Sequence, residues 1–217
     1  MSYNGGDVNK YSLIGRKVMK NSFINRKDRI IASAIEIISE AGLASLTTKT
    51  LAMKENMSES LLYRYFGSIE EVLVEVVDTF TKFDKGLILT VEAKEISHVD
   101  KVVEFLSTIG TYYDGYMELG AIVLNYEELL HNVNTREAIA SCIQMRTDFV
   151  RHELEAAIEE GEIVGTFTPE ELSNILFGSL NRDLLNRRIQ YDRRAHNEVA
   201  KSMLNKLADI LRKDENM

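Results

Sequence analysis

LTTKTLAMKENMSESLLYRYF, residues 46–66, decides the fold. Leu51 and Ala52 sit where a short helix would bury its inner face, and Thr47 or Thr48 supplies a side-chain oxygen to cap it. Asn56 falls in the turn that follows, where a left-handed residue is often required and asparagine tolerates it. Met57 can plug the small core, and Ser58 is a good N-cap for a further helix spanning Ser58–Arg64. Leu62, Tyr65 and Phe66 complete the apolar side and belong to the core rather than to a contact surface. Two short helices joined by a tight polar turn form the unit that lays a helix in the DNA major groove.

Upstream, Ile31, Ala34, Ile35 and Ile38 make one apolar stripe, predicting a helix over Arg26–Ala41 that stops at Gly42. Downstream, Gly67 ends the third helix and Ser68-Ile69-Glu70-Glu71 reads as a capping box. A long helix follows from Ile69 to about Leu89, carrying Val72, Leu73, Val76, Val77, Phe80 and Phe83. Further helices are expected at about 101–113, at 122–160 after breaks at Gly115 and Gly120, and at 169–190 and 194–213. The start at 169 is marked by Thr168, Pro169 and Glu171 as cap, first helical residue and reciprocal partner. The expectation is therefore an all-α chain in three parts. Residues 1–24 form a basic N-terminal extension, 25–67 a three-helix helix-turn-helix DNA-binding domain, and 68–217 a larger helical ligand-binding and dimerisation domain. The extension reads either as a loose terminal tail or as a basic arm reaching DNA.

One proline, no tryptophan and no alternating apolar pattern argue against a sheet protein. The net charge of −8 is unevenly spread: residues 1–66 hold ten Lys/Arg against six Asp/Glu, whereas residues 67–217 hold 16 against 28. A basic head on an acidic body suits a local contact with phosphate, because attraction is screened within roughly 8 Å at physiological salt. Cys142 is the only cysteine, so there is no intrachain disulfide and no cysteine-based zinc site. No signal-peptide core and no membrane-length apolar run is present, and a cytoplasmic location follows as the expectation.

The run Arg26–Leu73 resembles the N-terminal domain of TetR-type (tetracycline-repressor-like) bacterial transcription regulators. Ala41-Gly42, Thr47, Leu51-Ala52, Ser58, Leu62-Tyr63, Tyr65-Phe66, Glu71 and Leu73 carry the likeness without a gap. The resemblance implies phosphate contacts by Tyr63 and by Thr47 or Thr48. A helix Ser58–Arg64 would turn Glu59, Ser60, Leu61 and Arg64 toward base edges or groove walls, and Arg26, Lys27, Lys49 and Lys54 are candidates for neutralising phosphate. Two positions depart from the family pattern. Ile69 stands where a lysine is usual, and Glu59 stands where a basic or small residue is common; a glutamate there repels phosphate but can accept from cytosine N4.

The resemblance also implies an effector pocket among the central helices, and Phe80, Phe83, Phe105, Tyr112, Tyr113, Tyr116, Tyr126 and Phe149 are its expected lining. Tyrosine offers an apolar wall with a hydroxyl, which suits a small organic effector, although an ordinary aromatic core would use the same residues. The last two helices resemble the family's dimerisation helices, with Leu172, Ile175, Leu176, Ser179, Leu180, Met203, Leu207 and Ile210 as the expected homodimer interface and Gly178 allowing close approach.

Of the histidines His98, His131, His152 and His196, two have an acid four residues earlier, Glu127 for His131 and Asp148 for His152; solvated ion pairs account for both, and no metal is expected. No nucleophile elbow, phosphate loop or paired-carboxylate signature is present, so no enzyme activity and no cofactor are expected. The expected function is ligand-responsive transcription regulation, a repressor released from a palindromic double-stranded operator by its effector. The alternative is a helical small-ligand-binding or scaffolding protein with a degenerate DNA-binding head.

Overall fold

The computed structural model describes residues 25–115, 118–190 and 196–211. The N-terminal extension 1–24 and Tyr116 lie outside them. Every regular element among the described residues is a helix. In chain order these are α1 Arg26–Ala41, α2 Thr48–Lys54, α3 Glu59–Leu62, α4 Ile69–Glu92, α5 His98–Gly115, α6 Leu119–Leu124, α7 Tyr126–His131, α8 Arg136–Glu159, α9 Pro169–Gln190 and α10 His196–Leu211.

Local chemistry sets the head. The Asn25 side chain caps α1 by accepting from the Lys27 amide, and α1 ends at Gly42, whose φ of 86° is open to glycine alone without strain. Thr47 caps α2 in a reciprocal box with Thr50, and Ser58 caps α3 by accepting from the Leu61 amide at 3.2 Å. Asn56 takes the left-handed conformation at φ 51°. Ile30, Ile38, Leu51, Leu62 and Phe66 fill the centre, each no more than 2% exposed. Each such burial is worth about 1.5–3 kcal/mol, enough to hold three short helices that would not form alone.

Four expectations are corrected. The α-helix expected over Ser58–Arg64 covers only Glu59–Leu62, and tighter turns carry the chain on to Phe66. The helix near 101–113 begins three residues earlier, at His98, because Ser97 Oγ accepts from the Asp100 amide. The single helix expected over 122–160 is three helices. Side chains compete with the helical ladder at both breaks: Asn125 Nδ2 donates to Ala121 O at 2.6 Å, and Thr135 Oγ1 donates to Leu129 O at 2.6 Å. Gly120 is no break; it lies buried inside α6, where Leu184 Cδ2 would come within 3.4 Å of any β-carbon.

Helix α4 runs about 36 Å from the head into the body at 1.5 Å per residue. It packs on α5 and α8, while α9 covers α8 and α10 lies along α5. The head is seated on the body through α1, which touches α4 and α6. At that seam Arg188 Nη2, near the end of α9, donates to Ser39 O in α1 at 2.9 Å. No helix among the described residues is long and apolar enough to cross a membrane.

Candidate functional site

The outer face of the head is built by α2 and α3. Tyr63 is 51% exposed, and Lys49, Ser60 and Arg64 on the same two helices and their ends are exposed as well. Leu61 is half-buried. The Thr48 hydroxyl donates to Glu59 Oε2 at 3.1 Å, so the glutamate binds α2 to α3 and keeps one carboxylate oxygen occupied. Thr47 is engaged in its cap and Ser58 Oγ lies 3.0 Å from Ser60 Oγ.

The cations divide into two groups. Lys54 pairs with Glu36 at 3.0 Å and Glu40 at 3.2 Å, and Lys27 lies 4.9 Å above the Phe66 ring. Arg26 is half-buried, and its Nε has no hydrogen-bond partner among the described residues. Lys49 and Arg64 are exposed and make no ion pair among the described residues. They are the charges this face can offer to phosphate.

Sequence reasoning missed Glu55. Its buried carboxylate accepts from Ser33 Oγ at 2.7 Å and from Arg29 Nη2 at 3.2 Å, fastening the turn of the motif to α1. Glu71 closes the end of the head in a way the capping box does not anticipate. It reaches one residue further back, accepting from the Gly67 amide at 2.5 Å while its own amide donates to Ser68 Oγ.

In the body, the aromatic residues separate into two kinds. Phe105 and Phe149 pack edge to face at 4.7 Å and are buried, and Phe80 is buried with them in the core. Phe83 and Tyr112 stack at 3.7 Å and are only half-buried. Tyr113 and Tyr126 point their hydroxyls at a common cation: Arg146 Nη1 donates to Tyr113 Oη at 3.1 Å and to Tyr126 Oη at 3.3 Å. Arg146 Nε also donates to Asp84 Oδ2 at 2.5 Å, and the Cys142 thiol donates to the same oxygen at 3.3 Å.

Asp84 is fully buried and, among the described residues, its other oxygen, Oδ1, has no hydrogen-bond partner. Burial, partly opposed by Arg146, holds both phenols above their usual range, so both are neutral at pH 7. Burial likewise pushes the Cys142 thiol up to about 11, which makes it a weak donor rather than a nucleophile. The signal for this cluster was in the sequence. Asp84 stands midway between Phe80 and Ile88 on the buried stripe of α4, and Arg146 midway between Cys142 and Val150 on that of α8.

A second polar cluster lies at the start of α5. Glu162 accepts from the His98 and Val99 amides at 2.9 and 3.0 Å, and His98 Nδ1 lies 2.6 Å from buried Glu153 while its Nε2 faces Glu160 at 3.4 Å. Lys101 faces Glu153 from the same helix at 3.7 Å. His98, Glu160 and Glu162 bring potential metal-ligand atoms within 4.8 Å of one another. Each is already engaged with protein groups, so the arrangement works as a clamp between α5 and the end of α8.

The hydrogen bond to Glu153 raises the His98 pKa, with burial opposing and Glu160 adding to it. A raised folded pKa stabilises fully below the unfolded value near 6.5, and that stabilisation is lost as pH rises through the folded value. Thermal melts from pH 6 upward are therefore expected to show a decline in stability above pH 6.5 that His98→Gln abolishes.

The last two helices present a mixed face. Leu172, Leu176 and Leu180 turn into the protomer and are buried. Ile175 at 41% and Ile210 at 76% are exposed, and Ser179, Met203 and Leu207 are half-buried. Leu185 and Ile189, which sequence reasoning did not select, extend the exposed stripe of α9.

Residues 30–76 match the family described as bacterial regulatory proteins, tetR family. No curated protein matches the chain in sequence. Among solved structures, the ketosteroid transcriptional regulator KstR2 of Mycobacterium tuberculosis is similar at TM-score 0.75 and 14% identity, over 89% of this chain and 98% of that one. The fatty acid degradation regulator FadR from Bacillus halodurans is similar at TM-score 0.71 and 17% identity, over 89% and 100%. The regulator FadR from Bacillus subtilis, in complex with stearoyl-CoA, is similar at TM-score 0.68 and 19% identity, over 82% and 96%. At these identities the likeness is one of fold.

Proposed function

We propose that this chain, which carries a tetR-type head at residues 30–76 on a regulator-like helical body, is a homodimeric transcription regulator that binds operator DNA and releases it when a small organic effector enters the body. The observation that carries the reading is the face of α2 and α3. An exposed tyrosine, two cations without ion pairs and a helix N-terminus lie together on a domain whose core is otherwise complete. Tyr63, Lys49 and Arg64, with the helix-start hydroxyls Thr47, Thr48 and Ser58, would hold phosphate. Ser60 and Leu61 would meet base edges. Arg26 and Lys27 enter only as secondary contacts, because Lys27 is drawn onto Phe66.

Glu59 would contribute through its second carboxylate oxygen, the first being held by Thr48. That arrangement favours a cytosine at the contacted position, because an N4 donor satisfies the carboxylate and a phosphate or guanine O6 does not.

Dimerisation has a geometric reason. Two heads must reach half-sites about 34–36 Å apart or a multiple of that spacing. The exposed stripe Ile175, Leu185 and Ile189 of α9, with small Gly178 and Ser179 within it and Ile210 of α10 beside it, suits a four-helix interface between copies.

Phe83, Tyr112, Tyr113 and Tyr126 would line the effector site, and the names of the similar structures, ketosteroid and fatty acid regulators, favour a largely apolar effector. A shift of α5 has two routes to the head. One runs through α4 itself. The other runs through the Asp114–Arg187 pair at 2.9 Å to the neighbouring Arg188 and its bond to α1. An effector that favours one arrangement of α4 and α5 would change the separation of the two heads, and only one separation fits the operator. The test is to titrate the protein onto its operator with and without effector. Affinity should fall at least tenfold at saturation, and unchanged affinity would remove the release mechanism.

A further inference from the structure

The Asp84–Arg146 pair is more than a core ion pair. Burying one costs desolvation that apolar residues of the same size would avoid, so a buried pair with an unsatisfied oxygen calls for a role. Asp84 Oδ1 is a buried acceptor with no donor among the described residues, at a place where α4, α5, α7 and α8 each contribute a polar side chain. Arg146 spends Nε and Nη1 on Asp84, Tyr113 and Tyr126. Tyr112 of the half-buried Phe83–Tyr112 stack lies 6.3 Å, ring to ring, from Tyr113, and the stack so supplies an apolar flank to the cluster.

We propose that this cluster is the anchor for the polar end of the effector, and that it selects a neutral hydrogen-bond donor, a hydroxyl group, on an otherwise apolar molecule while rejecting a carboxylate. The inference rests on the effector reading above. A hydroxyl donates to Asp84 Oδ1 and completes its coordination. A ligand carboxylate would bring a second negative charge against one guanidinium already neutralised by Asp84, without supplying the missing donor. The two phenol hydroxyls stay neutral beside it and turn their oxygens to Arg146, so they offer no compensating charge.

The test uses the full-length protein and three probes of nearly equal size: 1-decanol, methyl nonyl ether and decanoate, each measured by displacement of 1-anilinonaphthalene-8-sulfonate. The wild type should bind the alcohol about ten- to a hundredfold more tightly than the ether, the worth of one hydrogen bond to a charged acceptor, with decanoate weaker than the alcohol. In Asp84→Asn the guanidinium loses its counter-charge, and decanoate should become the tightest of the three. If Asp84→Asn does not fold, the wild-type comparison of alcohol with ether decides alone. Equal affinities for alcohol and ether, with a water on Oδ1 in the bound structure, would overturn the anchor and leave the effector reading standing. Failure of all three probes would overturn the anchor, and failure to take up the dye as well would count against an effector site in this body.

Discussion

Replacing Arg146 by methionine should destabilise the protein by about 3–5 kcal/mol, the cost of leaving a buried charge without its partner. Methionine fills much of the same volume, so the loss is electrostatic rather than steric. Asp84 is wholly buried and would keep only the thiol of Cys142 as a donor. The paired substitution Asp84→Leu with Arg146→Met should recover most of the loss, since an apolar pair of similar size avoids desolvation altogether. Urea denaturation of the two variants and the wild type checks both. A single-variant cost below about 1 kcal/mol would mean that water reaches the pair. The double variant also separates structure from function. It should fold and bind operator, yet lose the preference for the alcohol probe.

The second large effect lies on the head. Lys49→Ala combined with Arg64→Ala removes four charges from the proposed dimer, so the slope of log affinity against log salt should become shallower by roughly 3–4. At 0.15 M salt that corresponds to a loss of about a thousandfold in operator affinity. Lys54→Ala is the control. Its ammonium already faces Glu36 and Glu40, so its removal should change the salt slope little. Fluorescence anisotropy across a salt series measures all three proteins. A slope that moves equally for Lys54 and for the pair would place the DNA elsewhere on the head.

The head was legible in the sequence because its determinants are local. Asn56, Thr47 and Ser58 act on backbone within three residues of themselves, and the apolar stripe of α1 lies within one helix. Contacts between elements were not legible. Glu55 meets Ser33 across 22 residues, and Arg146 meets Asp84 across 62, and neither spacing has a period to betray it. Charged residues on a buried stripe were the available hint, at Asp84, Arg146 and Glu153.

The division of the expected helix 122–160 was hidden for a related reason. Asn125 and Thr135 are ordinary in a helix until their side chains take a backbone carbonyl, which depends on the surroundings. On α9 the stripe of leucines was visible, but its direction was not. Leu172, Leu176 and Leu180 serve the protomer's own core, and the large apolar residues that α9 leaves exposed are Ile175, Leu185 and Ile189. Amphipathic periodicity says that a helix has an apolar face, not what covers it.

Operator recognition is tested by selecting DNA from a random double-stranded pool with the full-length protein at 0.15 M salt, followed by sequencing. One inverted repeat should be enriched, with half-site centres about 34–36 Å apart or a multiple of that, and with a cytosine at the position opposite Glu59. Recovery of no repeat, or of sequences no different from the starting pool, would contradict it.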